Sequence, residues 1–158
     1  MSWALSTDDA LIALRTAIGT SLTVGETTLT WTKLVEGHPL RWLSETADYP
    51  LIILQPEDTD ATDGASRIGL DLLVTVHVCI QTTSGGSIAP AHYKACRTVG
   101  EGVVAKVMDA GHRLGTDWLA RRLVSCGVDY DTTEQFADHG LLVYRAQFAL
   151  GYQEAEIR

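Results

Sequence analysis

The sequence lacks long apolar runs, clustered cysteines and a surplus of basic residues. No apolar run in its 158 residues approaches the roughly 20 residues that a membrane-spanning helix needs. The N-terminal stretch MSWALSTDD has neither the basic region nor the long apolar core of a signal peptide. We therefore expect a protein that stays in the cytoplasm of the cell that produces it.

Cysteines are few, and their spacing excludes two common structural roles. Cys79, Cys96 and Cys126 are far apart, odd in number and form no C-x-x-C pair. This spacing argues against a structural zinc site and against a disulfide framework. We predict that all three are small, buried or half-buried apolar residues in a reducing compartment.

Basic residues are outnumbered, but they are unevenly distributed. The chain has 12 Lys and Arg against 20 Asp and Glu, and its net charge is −8, which disfavours nucleic acid as the main ligand. The segment from Lys94 to Arg122 carries +3, so the remainder carries −11. Three interpretations stay open for this segment: a solvated helix surface, a basic face that meets an acidic loop of a neighbouring subunit, or a contact with DNA.

The main feature of the sequence is Arg67–Gln81, a long segment in which apolar residues alternate with others. Every second residue is apolar, which predicts a strand with one continuous apolar face. These apolar residues are Ile68, Leu70, Leu72, Val74, Val76, Val78 and Ile80. At about 3.3 Å per residue the strand would be roughly 45–50 Å long, whereas typical strands have about five or six residues. A small domain cannot cover such a strand, so its length is a first indication of a partner.

The remaining elements are predicted from apolar spacing and from capping and breaking residues. Helices are expected at Thr7–Ile18 and Ala91–Ala110, with a short helical turn at Thr116–Leu119. Strands are expected at Thr27–Val35, Leu51–Leu54, Leu123–Asp131 and Leu142–Tyr152, and a polar loop at Thr132–Gly140. Gly100 and Gly102 would let the second helix approach the sheet closely.

This order of elements predicts an α+β fold in a single domain, residues 1–158. We expect a mostly antiparallel, twisted sheet with a long central hairpin, packed against two helices. The face of the sheet opposite these helices would be partly solvated.

An acidic loop, Glu57–Ser66, separates two predicted strands and has the sequence EDTDATDGAS. Counted from Asp58, a calcium-binding EF-hand would need glycine at position six and glutamate at position twelve, where this chain has Asp63 and Gly69. Three interpretations of this loop remain: non-specific cation binding, a solvated loop, or a loop that contacts a partner.

The sequence shows no other recognisable catalytic or cofactor-binding pattern. No two histidines have the three- or four-residue spacing that places them on one helix face. His77 lies on the strand face opposite the apolar set, a position that suits solvent or an interface. Gly100-Glu101-Gly102 lacks the third glycine and the preceding strand of a dinucleotide loop. We therefore predict no catalytic residue, no cofactor and no metal.

The order and size of the elements resemble those of one family. The N-terminal helix, the YPLIIL strand at Tyr49–Leu54, the acidic loop and the long strand from Arg67 are similar to tail terminator (tail completion) proteins of long-tailed bacteriophages. The helix from Ala91 and the closing strands continue the likeness over nearly the whole chain.

The resemblance implies a structural virion protein rather than an enzyme. It implies a hexameric ring at the tail–neck junction of the virion, assembled in the host cytoplasm. Its partners would be further copies of itself, the tail tube protein and head–neck connector or adaptor proteins. DNA would be only non-specific cargo through the lumen, and no membrane is involved. Two alternatives stay open: a head-completion or neck adaptor protein of the same particle, and a small α+β ligand-binding domain or enzyme.

Charged side chains on the acidic loop and on nearby elements are the predicted interface residues. We expect them to contact a neighbouring subunit or the tail tube. They are Glu57, Asp58, Asp60, Asp63, Arg67, Arg121, Arg122 and Glu134.

Overall fold

A computed structural model describes residues 7–44, 48–57, 71–82, 88–109, 113–114 and 118–152. The helices are α1 (Thr7–Ile18), α2 (Pro39–Trp42), α3 (Pro90–Asp109) and α4 (Tyr130–Gln135). The strands are β1 (Ser21–Val24), β2 (Thr27–Thr30), β3 (Lys33–Glu36), β4 (Leu51–Pro56), β5 (Asp71–Gln81), β6 (Arg113–Leu114), β7 (Trp118–Val128) and β8 (Leu141–Tyr152).

Six of these strands form one sheet in the order β3-β4-β5-β8-β7-β6, and β1 and β2 form a separate hairpin. Within the six-stranded sheet β3 and β4 are parallel, whereas the other neighbours are antiparallel. Helices pack against this sheet, so the predicted α+β class is confirmed.

The predicted long strand is confirmed as β5 from Asp71 to Gln81, while Arg67–Leu70 lie outside the described residues. Its apolar set faces one side, since Leu72, Val74, Val76 and Val78 are buried in the main core. Strand β5 pairs with β8 along its whole length and with β4 over six residues. The described part of the strand is therefore central to its own sheet.

Helix α1 has the predicted bounds. Asp8 and Asp9 lie in its first turn, where carboxylates interact favourably with the helix dipole. Gly19 ends the helix with a φ of 71°, and its N–H donates to the carbonyl oxygen of Arg15 at 2.8 Å. This left-handed conformation favours glycine.

Helix α3 lies close to β8 because Gly100 has no side chain. A Cβ atom at Gly100 would lie 2.1 Å from Cγ of Tyr144, so the tyrosine ring occupies the space that any larger residue would need. At Gly102 the nearest atom to such a Cβ would be Cδ2 of Leu22, at 2.9 Å. The predicted close approach of this helix to the sheet is confirmed at Gly100, whereas Gly102 faces the separate β1–β2 hairpin.

The main core lies between one face of the sheet, called face 1 here, and helices α1 and α3. Its largest fully buried side chains from β8 and α1 include Phe148, Leu150, Leu14 and Ile18. The opposite face, face 2, carries a smaller core beside α2 and α4. That second core consists of Leu43, Leu51, Ile53, Cys79, Leu141 and Val143.

Helix α4 replaces part of the polar loop that the sequence predicted at Thr132–Gly140. Asp129 caps the helix by accepting a hydrogen bond from the N–H of Thr132 at 3.1 Å. The hydroxyl oxygen of Thr133, a buried residue, accepts from the N–H of Val143 at 3.1 Å. The loop prediction was wrong because this helix is fixed by a cap and by a contact with β8, not by an apolar pattern.

The predicted strand Thr27–Val35 is interrupted in the structure. Trp31 and Thr32 separate β2 from β3 because their N–H groups donate to the carbonyl oxygens of Thr20 and Pro50, at 2.9 Å each. The N-terminal half therefore pairs with β1, whereas the C-terminal half joins the main sheet.

Two further predictions were wrong. Trp118 and Leu119, expected in a helical turn, begin strand β7, which ends at Val128 rather than Asp131. The strand stops there because Asp129 caps helix α4. Cys126 is exposed rather than buried, since it lies on β7 near the margin of the sheet, whereas Cys79 and Cys96 are buried as expected.

Candidate functional site

A polar cleft of about 370 Å³ opens on face 2, beside the second core. Strands β4, β5 and β8 form its floor, and α2 and α4 form its sides. Its polar lining comes from His38, Gln55, Glu57, Thr75, His77, Asp129, Thr132, Gln135, Arg145 and Gln147.

His77 lies on β5 and is only 4% exposed. Its Nε2 lies 2.8 Å from Oε1 of Gln55. A carboxamide oxygen only accepts, so in this assignment Nε2 carries the hydrogen and Nδ1 is an acceptor. Nδ1 has no hydrogen-bond partner among the described residues.

Burial keeps this imidazole neutral at neutral pH. Desolvation lowers the pKa of His77 from 6.5 to about 4, because burial disfavours the charged ring. Asp129 raises this pKa, while Arg145 and His38 lower it further. The ring is therefore uncharged, and its Nδ1 is buried from solvent.

Arg145 lies on β8 directly opposite His77 in the strand register. Its side chain is exposed, and it makes no ion pair or hydrogen bond with the part of the chain that the structure describes. A guanidinium group is permanently charged and binds carboxylates and phosphates through two parallel hydrogen bonds. Arg145 therefore supplies an available cation beside the neutral imidazole.

The two acids of the cleft are already engaged. Glu57 accepts a hydrogen bond from Nε2 of Gln147 at 2.8 Å. Asp129 accepts from the N–H and from the hydroxyl of Thr132, at 3.1 and 2.8 Å. Neither carboxylate is paired with Arg145 among the described residues. Hydrogen bonds from neutral groups do not remove a carboxylate's charge, so the cleft holds two acidic side chains against one arginine.

The guanidinium of Arg145 is the group in this cleft that can bind a carboxylate or a phosphate. The buried thiols of Cys79 and Cys96 lie elsewhere, and burial raises both pKa values, that of Cys96 to about 12. Within the described residues no three His, Cys, Asp or Glu side chains are grouped so that they could hold a metal ion.

A second, larger cavity of about 720 Å³ lies between the β1–β2 hairpin, the start of β4 and the start of α3. It is lined mainly by apolar groups such as Val24, Leu29 and Ile80, with Lys94 at its margin. Few polar groups converge there to orient a ligand. Despite its smaller volume, the polar cleft is thus the better candidate for specific recognition.

Three of the predicted interface residues have side chains that the structure describes, and these lie on different elements. Glu57 lies at the polar cleft, while Arg122 and Glu134 are exposed on β7 and α4. Asp58, Asp60, Asp63 and Arg67 lie outside the described residues, as does the side chain of Arg121.

Sequence reasoning missed Arg145 and gave His77 no specific role. Only the register of β5 against β8 shows that the two residues are opposite each other. Side chains alternate between the two faces of a strand, and in both strands this alternation places the residue on the less apolar face. That shared position was the signal available in the sequence.

A scan against protein-family models finds no matching family, and a search of curated proteins finds no significant match. Among the described helices, none is both long and apolar enough to cross a membrane. The functional proposal therefore depends on the fold, the surface chemistry and the sequence resemblance.

Proposed function

We propose that the protein is a structural virion component: a ring, most simply a hexamer, that terminates a phage tail tube and joins the tail to the head–neck connector. The element order of the sequence resembles that of tail terminator proteins. Closed rings use head-to-tail contacts between identical subunits, so this function needs surface elements that reach a neighbour.

The connection between β4 and β5 is the observation that carries this proposal. The two strands are direct antiparallel neighbours, yet residues 57–70 connect them, whereas hairpin loops take about 2–5 residues. The connection contains Asp58, Asp60 and Asp63. Long connections within compact domains are usually functional or disordered, and a contact with a neighbouring copy is the use that a ring protein would have for this one.

Strand β5 itself is a poor candidate for that contact. Between Asp71 and Gln81 it is paired with β8, and with β4 over part of its length. We therefore assign the contact to the acidic connection and not to the strand.

The outer edge of β7 offers a second surface for a neighbour. Beyond Leu119, β7 pairs only with β8 among the described residues. A free strand edge can accept another strand through main-chain hydrogen bonds. Register shifts near Arg122 and Ser125 interrupt β7, so an added strand would pair over short stretches.

The negative charge of the chain is compatible with a ring around DNA. A net charge of −8 repels phosphates, so a genome would pass through the lumen without adhering to it.

A small-ligand-binding domain is the second candidate, and the polar cleft is the observation that favours it. The guanidinium of Arg145, which has no partner among the described residues, can bind a small anion. In that case the protein would be a monomer that binds such an anion tightly, with no effect of tail tubes on its size.

The oligomeric state tests the proposal. We expect sedimentation of the protein mixed with tail tubes to show ring formation, and electron microscopy to show a ring at the tube end. Tubes that remain uncapped beside a monomeric protein would contradict it. Pull-down against the portal side and against the tail tube distinguishes a neck adaptor from a tail terminator.

A deletion tests the role of the acidic connection. Removal of Asp58–Gly64 should leave the thermal unfolding of the monomer nearly unchanged and abolish ring assembly. Normal rings from the deleted protein would show that the connection does not make the contact.

A further inference from the structure

We propose that Tyr130 of one copy inserts into the apolar cavity of a neighbouring copy, the cavity of about 720 Å³ beside the β1–β2 hairpin. The identity of the partner rests on the ring proposed above. This contact would act in addition to that of the acidic connection, and its residues all lie in the part of the chain that the structure describes.

Tyr130 is an exposed aromatic residue whose ring is held in place. It is 58% exposed at the start of α4. Its ring lies against that of Tyr93 on α3, with 5.6 Å between the ring centroids. Tyrosine is enriched among the residues that dominate the binding energy of protein interfaces. Because Tyr93 restrains the ring, Tyr130 loses little side-chain freedom when a partner binds it.

The apolar cavity is large enough to receive this ring. Its walls include Val24 and Leu29 of the hairpin, Ile80 of β5 and Val99 of α3. Pockets that enclose small molecules have volumes of about 300–1,000 Å³, and this cavity lies within that range. Insertion of an aromatic ring removes apolar surface of both copies from water, which favours association.

The cavity also offers a partner for the phenol hydroxyl, and a buried tyrosine O–H usually needs one. Gln81 lines the cavity. Its Nε2 donates to the carbonyl oxygen of His139 at 3.1 Å, and its carboxamide oxygen can accept a hydrogen bond from Tyr130. The cavity therefore suits a tyrosine better than a purely apolar side chain.

The charges around the two surfaces are opposite. Among the described residues that line the cavity, Lys94 is the charged one. The surface around Tyr130 carries Asp129, Asp131 and Arg145, which are two acids against one arginine. Neither Lys94 nor Asp131 forms an ion pair within the described part of the chain. Asp131 follows Tyr130 directly, so insertion of the ring brings a carboxylate towards the lysine of the other copy.

The two surfaces lie on opposite sides of α3, so they do not meet within one chain. Ala91 and Ala95 line the cavity, whereas Tyr93, two residues from each of them, contacts Tyr130. With 3.6 residues per turn, two residues correspond to about 200° around the helix. An exposed ring on one side and a cavity on the other can join identical copies head to tail, as a closed ring requires.

Four large apolar residues of the described chain are exposed, and Tyr130 fits the cavity best. Leu40 lies on α2, which follows β3, and β3 is the sheet edge next to β4 on the cavity's side. It is therefore not placed for a head-to-tail contact. Ile12 and Val124 have no hydroxyl for Gln81, and neither has an acidic residue next to it in the chain.

Removal of the aromatic ring from the full-length chain is the first test. Tyr130→Ala should leave the thermal midpoint nearly unchanged, because the side chain is mostly exposed, and should reduce ring formation on tail tubes at least ten-fold in sedimentation. The matched control is Ile12→Ala, which removes a side chain that is 61% exposed on α1 and should change assembly less than two-fold. Equal assembly of Tyr130→Ala and the wild type would overturn the proposal.

Photo-cross-linking tests the contact directly. The photoreactive residue p-benzoylphenylalanine at position 130 retains an aromatic ring, and a mixture of ¹⁵N-labelled and unlabelled copies distinguishes links between copies from links within one. We expect mass spectrometry to find links from position 130 to Val24, Leu29, Ile80 or Val99 of another copy. The same photoreactive residue at position 12 is the control and should not link to the cavity. Links from position 130 that never reach the cavity of another copy would overturn the proposal.

A fluorescent apolar dye, anilinonaphthalene sulfonate, distinguishes a neighbouring copy from a small ligand as the occupant. It should bind the cavity of the monomer, bind at least ten-fold more weakly to Ala95→Trp, whose indole takes up space in the cavity, and be released when rings form. Dye that stays bound in assembled rings would show that a small ligand occupies the cavity instead, and would overturn the proposal.

The wild-type chain separates this inference from the ring itself. If the wild type forms rings and position 130 links to no cavity residue of another copy, the ring stands and this contact fails. If the wild type forms no ring, the ring fails, and photo-cross-linking of the concentrated protein alone decides the contact: links to the cavity of another copy support it, and their absence overturns it.

Discussion

The two faces of the six-stranded sheet differ in polarity and in how they are covered. On face 1, apolar side chains from β4, β5 and β8 are covered by the long helices α1 and α3. On face 2, the short helices α2 and α4 accompany a small core, and a polar cleft opens beside it. Since large apolar burial dominates folding stability, face 1 holds the fold together and leaves face 2 free to carry uncompensated polar groups.

The largest effect of this difference is expected at two adjacent residues on β8. Phe148 is fully buried on face 1, and its neighbour Gln147 points to the cleft on face 2. We expect Phe148→Ala to lower the free energy of unfolding by about 3–5 kcal/mol, and Gln147→Ala to lower it by less than about 1 kcal/mol. Denaturant titration measures both. Similar losses would mean that the two faces stabilise the fold equally.

The close packing of face 1 is tested at the two glycines of α3. Gly100→Ala gains about 1 kcal/mol of helix propensity, but its Cβ would overlap the buried ring of Tyr144. We expect a net loss of about 2 kcal/mol. Gly102→Ala is the matched control, because it meets only the methyl end of Leu22 and should change stability by less than about 1 kcal/mol. Equal thermal midpoints for both variants would argue against the tight helix–sheet contact.

His77 makes face 2 sensitive to acid. Its pKa in the folded chain, about 4, lies below its ordinary value of 6.5, so the unfolded chain binds more protons between these values. This contribution is fully present above about pH 6.5 and is lost as the pH falls towards 4. Between pH 7 and pH 4.5 the wild type should lose about 2 kcal/mol more stability than His77→Gln.

The comparison with His77→Gln isolates one residue, because every other titrating group is common to both chains. Denaturant titration at the two pH values measures the difference. Parallel loss of stability in both chains would show that His77 is protonated as readily in the folded chain as in the unfolded one.

A smaller effect is expected where α4 joins face 2. Thr133→Val keeps the shape of the side chain but removes the oxygen that accepts from the N–H of Val143. An unpaired buried N–H should cost about 1 kcal/mol, as measured by thermal unfolding. Thr132→Val is a useful control, since the N–H of residue 132 would still donate to Asp129. If Thr133→Val were as stable as the wild type, α4 would not depend on this bond.

The parts of the fold that could be predicted from the sequence are those with a local periodic signal. Helix α1 and strand β8 follow from apolar spacing, and the bounds of α1 were predicted correctly. Helix α4 could not be predicted in this way because its cap and its buried threonine bond have meaning only after β8 is placed.

The residues of the cleft were harder to predict from the sequence than the helices and strands. Arg145 and His77 are 68 positions apart in the chain and meet only through strand register. The sequence correctly placed His77 on the less apolar face, but a one-residue change of register would have moved Arg145 away from it. The acidic connection, in contrast, was recognisable from composition alone.

The unequal exposure of the three thiols has a practical consequence. Cys126 is exposed on β7, whereas Cys79 and Cys96 are buried and, with raised pKa values, react slowly with maleimides. A fluorophore added to the native chain should therefore attach at one position. Energy transfer between donor-labelled and acceptor-labelled molecules would then report the spacing of copies during assembly, without any engineered cysteine.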